Sequence, residues 1–178
     1  MPQGWSFTKL SNISKLITKG TTPRGGNVAY LDKGIGFLRA ENVDGYDKLS
    51  LDNLKYISND VYEYDLKRSI LEGNDVLITI AGTLGRTGIV RKNDLPLNVN
   101  QAVAIIRLVT DKYIDLRYLI YVLNSPVVQM LLSGQKKITA IPNLTLEIIG
   151  NCTIVLAPIN EQKRIVSKID CLFSLISH

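Results

Sequence analysis

Residues 70–108 read ILEGNDVLITIAGTLGRTGIVRKNDLPLNVNQAVAIIRL, and the alternation of short apolar runs with glycine- and asparagine-rich breaks decides the fold. Residues 76–80 form an apolar run rich in β-branched side chains. Residues 88–90 resume after a glycine-rich interruption, and residues 103–108 are a third run entered through residues 98–101. This predicts three strands and one exposed glycine loop, with the rest of the chain packed around them.

The loop is the first candidate for function. Gly82, Gly85 and Gly88 allow the backbone positive φ and a close approach to a ligand. A nucleotide-phosphate loop would carry a lysine and open a helix, whereas here β-branched Ile89 and Val90 follow, so the ordinary reading is a bulged hairpin connection. Arg86 weighs against that bland reading, because a guanidinium on a glycine loop packs poorly and suits DNA. Beside it, alternation puts Asn98 and Asn100 on one face and Val99 and Gln101 on the other. A carboxamide reads adenine through a paired donor and acceptor, although satisfying backbone groups is its commoner use. The loop is therefore expected to be a flexible presenter of Arg86 and Thr83 toward a DNA groove, with Asn100 and Gln101 entering from the next strand.

Towards the N-terminus, Trp5 and Phe7 alternate with polar residues as an opening strand. Ser11 is placed to cap a short helix carrying Ile13, Leu16 and Ile17, ended by Gly20. Thr21, Thr22 and Arg24 follow in a loop whose hydroxyls and guanidinium suit phosphate oxygens; a solvated turn weighs equally. Ile35, Phe37 and Leu38 mark a strand that leads to Arg39 and Asn42. Both have groups for base edges, and each taken alone fits an ordinary surface ion pair or turn better. Tyr56, Tyr62 and Tyr64 lie among Lys55, Lys67 and Arg68, and half-buried core positions explain them better than stacking on bases.

Towards the C-terminus, Asp115 is an N-cap for a helix with Leu116, Leu119, Ile120 and Leu123 at helical spacing, and Asn124-Ser125-Pro126 breaks it and starts a second. The link that follows holds Lys136, Lys137 and Thr139, suited to phosphate or simply to water. A short helical turn, a last strand over residues 152–156 and a helix over residues 159–177 capped by Asn160 complete the chain. Val166, Ile169, Phe173 and Ile176 repeat at coiled-coil spacing. Two heptads give little stability alone, so this helix is expected to dock on its own domain, a partner or a longer segment.

With 178 residues the chain can bury one sizeable core, and a net charge of +5 suits a polyanion without demanding one. The single histidine is His178, the last residue, so neither a Ser-His-Asp nor a Cys-His arrangement is available. Two cysteines suggest no disulfide framework, and no apolar run reaches membrane-spanning length. A cytoplasmic binding protein is the expectation, ahead of an enzyme.

The sequence resembles the specificity subunit of type I restriction-modification enzymes, as a single target recognition domain with the start of its conserved helix. The likeness runs through Gly4-Trp5 with Lys9-Leu10, Gly20-Thr21-Thr22-Pro23, Gly36-Phe37-Leu38-Arg39, Gly73-Asn74-Asp75-Val76-Leu77-Ile78 with Ala81-Gly82-Thr83-Leu84-Gly85, Asn100-Gln101, Ile141-Pro142 and Ala157-Pro158-Ile159-Asn160-Glu161-Gln162 with Ile165-Val166. The proline-x-x-glutamate-glutamine opening of the last helix is its most specific part. The resemblance implies a domain over residues 1–157 that reads one half of a bipartite duplex-DNA target, and a spacer or dimerisation helix begun by residues 158–178. It further implies no catalysis by this chain: modification subunits would hold S-adenosylmethionine, and ATP and Mg would act on partner subunits. One domain and one short helix, where two of each are usual, leave open a half-subunit that dimerises through the helix, a truncation or an excised domain.

The expected fold is α/β of the α+β type, a twisted, mostly antiparallel sheet flanked by short helices with a protruding C-terminal coiled-coil-forming helix. The candidate DNA-binding residues are Thr21, Thr22, Arg24, Arg39, Asn42, Thr83, Arg86, Asn100, Gln101, Lys136, Lys137 and Thr139, led by Arg86 and Gln101. Alternatives are a stand-alone DNA-binding module without a methyltransferase partner, or a small enzyme holding a nucleotide in the 82–88 loop.

Overall fold

In the computed structural model, which describes residues 2–25, 30–133 and 144–176, the two most apolar runs of the chain become adjacent strands with both faces covered. In chain order the first half comprises β1 (Ser6–Lys9), α1 (Leu10–Ile13), β2 (Ser14–Lys19), β3 (Ile35–Leu38), β4 (Val43–Gly45), β5 (Lys48–Leu49) and β6 (Lys55–Ile57). The second half comprises β7 (Val76–Thr79), β8 (Thr87–Ile89), β9 (Leu97–Val99), β10 (Val103–Leu108), α2 (Leu116–Leu123), α3 (Pro126–Ser133), α4 (Leu146–Asn151), β11 (Thr153–Leu156) and α5 (Ile159–Ile176).

The central sheet has the order β2-β10-β7-β8, every pair antiparallel. On one face Val76, Ile78, Ala104 and Ile106 pack with Leu119, Ile120 and Leu123 of α2 and with residues of α3 and α4. On the other face Leu77, Val103 and Ile105 meet Leu38, Leu97 and Val99 of a second sheet, ordered β6-β3-β9. This two-sided burial is why β7 and β10 lack the polar alternation of a half-exposed strand. Each buried Ile or Leu there contributes about 2 kcal/mol.

The mixed α/β class agrees with the sequence reading, and strands stand at the three expected runs of residues 70–108, but the same stretch holds a fourth, β9, in the segment read only as the entry to the last run. The strands divide among four sheets, however, and helices cover only one face of the central one, the second sheet covering the other. The pair β3–β9 is parallel. Three local expectations are corrected. The helix expected from Ser11 through Ile17 is a single turn, because Leu16 and Ile17 pair with Arg107 and Ile106 of β10. Asn98 is fully buried rather than displayed: its Nδ2 donates to Leu66 O at 3.1 Å. Finally, α5 begins before Asn160, with the Pro158 carbonyl accepting from Glu161 N and Gln162 N at 2.8 and 3.0 Å.

Candidate nucleic-acid interface

Antiparallel pairing decides which loops meet. Register sets Lys19 of β2 opposite Ala104, Val103 opposite Thr79, and Ile78 opposite Thr87. The loop after β2, the turn before β10 and the β7–β8 connection therefore emerge at one end of the central sheet. Thr21, Thr22, Arg24, Thr83, Arg86, Asn100 and Gln101 all lie on these three segments.

The glycine loop is a hairpin connection between two strands, and it is fastened rather than flexible. Thr79 N donates to Arg86 O at 2.9 Å, Arg86 N donates to Thr79 Oγ1 at 3.0 Å, and the Thr79 hydroxyl also donates to Thr83 O. Gly85 has φ +80°, and a Cβ there would lie 2.4 Å from Gln129 Oε1 of α3; Gln129 Nε2 donates to Gly85 O at 3.1 Å. Only glycine accepts both the conformation and the contact. Thr83 and the Arg86 side chain are exposed.

The neighbouring turn is equally fixed. Val103 N donates to Asn100 O at 3.2 Å, and Ala102 N donates to Asn100 Oδ1 at 3.1 Å, so Asn100 holds the turn with its own carboxamide. Gln101 stands exposed at the tip. Ile80 N donates to Ala102 O at 2.8 Å, which joins the turn to the start of the glycine loop. The third segment lies directly on this turn, since a Cβ on Gly20 would be 2.0 Å from Val99 O. Thr21 N donates to Val99 O at 3.2 Å, Arg68 Nη2 donates to Thr21 Oγ1 at 2.9 Å, and the Thr22 hydroxyl donates to Gln101 Oε1. An open cleft of about 380 Å³ lined by Lys19, Ala81, Gln101 and Thr145 adjoins them.

Charge separates the two ends of this sheet. At the far end Arg107 donates from Nε and Nη2 to the fully buried Asp75, both at 2.7 Å, and it also pairs with Glu72, which Lys15 meets at 3.7 Å. The hydrogen bonds that Arg107 donates to Asp75 hold its guanidinium charged above the ordinary arginine range. At the loop end Lys19, Arg24, Arg68 and Arg86 are exposed, and among the described residues none has a carboxylate within ion-pair distance.

Two sequence candidates take the ordinary role. Asn42 is 3% exposed; its Oδ1 accepts from Arg39 N at 2.9 Å and its Nδ2 donates to Ser50 O at 3.1 Å, so no donor-acceptor pair is left for a base. Arg39 pairs with Glu41, and its Nε is buried without a partner among the described residues. Lys136, Lys137 and Thr139 lie outside the described residues. Sequence reasoning missed Lys19 and gave Arg68 no place in the site. The adjacent cations Lys67 and Arg68 were a signal, but their neighbouring tyrosines drew the reading to the core. Tyr62 does pack beside Phe37, Ile57 and Leu66.

The seam of α5 turns toward its own domain. Val166 is 8% exposed against Tyr118 and Ala157, and the Phe173 ring lies 5.8 and 6.1 Å from those of Tyr46 and Tyr121. Ile169 is half-buried, and the side chain of Ile176 is outside the described residues. Arg117 Nη1 and Nη2 donate to the Asp170 carboxylate at 2.5 and 2.8 Å, and the Tyr121 hydroxyl donates to the same group.

Known proteins share this architecture. The family described as the type I restriction modification DNA specificity domain matches residues 2–177. The EcoBI specificity subunit of Escherichia coli, a type I restriction enzyme component, is 33% identical over 98% of this chain and 36% of its own length. The HsdS subunit of Thermoanaerobacter tengcongensis superposes with a TM-score of 0.71 at 20% identity, over 99% of this chain and 39% of that one. The S subunit from M. genitalium gives 0.61 at 16% identity, over 96% and 39%. The chain thus spans a little over a third of the length of these relatives. Matched along nearly all its length, it belongs to the type I restriction modification DNA specificity domain family.

Proposed function

We propose that this chain recognises a specific sequence in duplex DNA, reading one half of a bipartite target as the specificity component of a type I restriction-modification complex. The observation that carries this reading is the loop end of the central sheet, where four exposed cations, without carboxylate partners among the described residues, stand beside a displayed carboxamide and threonine hydroxyls. Cations left without acids suit phosphates, and groups on fastened loops suit base edges. Arg86 and Gln101 are assigned to bases; Lys19, Thr21, Arg24 and Arg68 are assigned to the backbone. Thr83 and the segment bearing Lys136, Lys137 and Thr139 stay candidates on residue chemistry.

In this reading residues 1–157 are the recognition domain and 158–178 begin the spacer helix. The chain acts in the cytoplasm without chemistry of its own. Modification and restriction subunits supply S-adenosylmethionine-dependent methylation and the ATP- and Mg-dependent steps. Reconstitution with type I modification subunits, followed by mapping of methylated adenines, should give one recurrent sequence motif. Methylation at no fixed site with any cognate subunit overturns the reading.

A further inference from the structure

We infer that Gln129 of α3 is the positioning residue of the glycine loop: it fixes where Arg86 stands, and so how sharply Arg86 discriminates one base pair. This inference rests on the DNA-reading role proposed above and adds the residue outside the loop on which that reading depends.

The backbone of Gly85 and Arg86 has four polar groups, and all four are paired. Gly85 N donates to Thr79 O at 2.9 Å, Arg86 N donates to Thr79 Oγ1 at 3.0 Å, and Arg86 O accepts from Thr79 N at 2.9 Å. Those three bonds stay within the β7–β8 hairpin; they shape the loop without joining it to the helices. The fourth group, Gly85 O, belongs to the same peptide as Arg86 N, and it accepts from Gln129 Nε2 at 3.1 Å across 44 positions of sequence. The same Nε2 donates at 2.8 Å to Leu123 O, in the last turn of α2. Both acceptors are backbone carbonyls, so only the amide nitrogen can face them and the carboxamide has one orientation. Gly85 is buried against it with no room for a Cβ.

The residue after Arg86 is held from the same corner. Asn124 Nδ2 donates to Ile120 O and to Thr87 Oγ1, both at 2.7 Å, and the Thr87 hydroxyl donates to Tyr46 O at 2.7 Å. Carbonyls at the two ends again settle which group donates. The α2–α3 corner thus grips the residues on both sides of Arg86, while the guanidinium stays exposed. A guanidinium reads guanine through two donors aimed at O6 and N7, and such a fork needs its own backbone accurately placed by supporting contacts. Gln129 is only half-buried, so water can take its place at Gly85 O and the fold survives while the aim of the loop is freed. Methionine at position 129 keeps the length and removes the donors. Lysine keeps N–H donors for both carbonyls.

The test is selection from a randomised duplex pool by the 178-residue chain, alone and with a type I modification subunit, followed by titrations against single-base variants of the selected site. Circular dichroism confirms that each variant is folded. Arg86→Ala identifies the base pair that Arg86 reads. Gln129→Met should cut the preference at that same pair about 5-fold or more, the low end for a good side-chain-to-base pair, and should leave affinity for random duplex unchanged. In an Arg86→Ala background Gln129→Met should do nothing further, because Gln129 acts through Arg86. Gln129→Lys should keep the preference, and it decides the matter where the methionine variant is unfolded. A full preference in folded Gln129→Met, or a relaxed one in folded Gln129→Lys, overturns this inference and leaves the DNA-reading role standing. Equal weakening on all duplexes, or an equal loss with and without Arg86, gives Gln129 a structural role alone and also overturns it. An Arg86→Ala variant that relaxes no base pair, with the parent selective, overturns it as well. No selection by the parent in either form overturns the DNA-reading role itself.

Discussion

Arg86 combines a fixed backbone with an exposed guanidinium, since Thr79 holds it at both N and O. A backbone so mounted leaves only the side chain's own rotamers to be ordered on meeting a base, which limits the ordering cost of a reading residue. Arg86→Ala should cost about 1–3 kcal/mol on the preferred sequence and relax one base pair, because a bidentate guanidinium-guanine pairing is worth that much. Competition titrations against single-base variants of the target check this, and a uniform weakening on every duplex would assign Arg86 to phosphate. That Arg86 is displayed on a glycine loop was legible because three glycines and no lysine flank it in a few residues. Asn42 was not legible in the same way. Its second partner, Ser50 O, lies eight residues on, across the β4–β5 hairpin, and no local pattern shows that a carboxamide is already committed. Nor does any local pattern place Arg68 beside Thr21, 47 residues away.

The helix α5 shows what an element-level pattern does and does not reveal. The spacing of Val166, Ile169 and Phe173 marks an apolar stripe, yet a stripe does not name what covers it. Here α2 and Tyr46 supply much of the cover. A charged residue at Val166 would therefore disturb the chain's own junction, and a partner test belongs at Leu172 and Leu175, which are 48% and 70% exposed. The proline-x-x-glutamate-glutamine opening now has a physical cause. Gln162 is fully buried, its Oε1 accepting from Asp115 N at 2.8 Å and its Nε2 donating to Tyr113 O and Ala157 O at 2.9 and 2.7 Å. One carboxamide joins the starts of α2 and α5 to the end of β11. Gln162→Leu should destabilise the fold by about 2–4 kcal/mol, since three backbone groups are left without their partner in a buried site. Gln162→Glu should not restore it, because a carboxylate cannot donate to two carbonyls; urea unfolding measures both.

The same junction carries a titration. Burial, then the hydrogen bond to Asp170, pushes the Tyr121 hydroxyl up to about 12. The folded value lies above the ordinary tyrosine value near 10. The stabilisation it gives the α2–α5 junction is thus complete below about pH 10 and is lost as pH rises through about 12. One tyrosine resonance should therefore titrate late in NMR spectra. Asp170→Ala should bring it part of the way down, the burial remaining; a Tyr121 signal that titrates near the ordinary tyrosine value in the parent would contradict this packing.

Across the whole molecule the central sheet works as a divider of charge. Its far end matches acids to cations, with Asp75 and Glu72 answering Arg107 and Lys15, while its loop end leaves Lys19, Arg24, Arg68 and Arg86 exposed to solvent. A net charge of +5 spread evenly along the sequence conceals this, because only strand pairing decides which loops share an end. The most apolar strands, β7 and β10, were legible from their runs; β2, read as helix, and β9, read as a strand entry, were not, and neither was the strand order, which is set by pairing between distant segments. The consequence for binding is an asymmetric salt response. Each phosphate deprived of its cation should flatten the dependence of log affinity on log salt by about 0.9, through the counterions no longer released. Replacing Lys19, Arg24 and Arg68 together by alanine should flatten the slope by roughly 3 on specific and random duplexes alike, whereas Lys15→Ala at the far end should leave it unchanged. Filter binding from about 50 to 200 mM salt resolves a difference of that size. Equal slopes for the triple variant and the parent would mean that DNA meets another face of the domain.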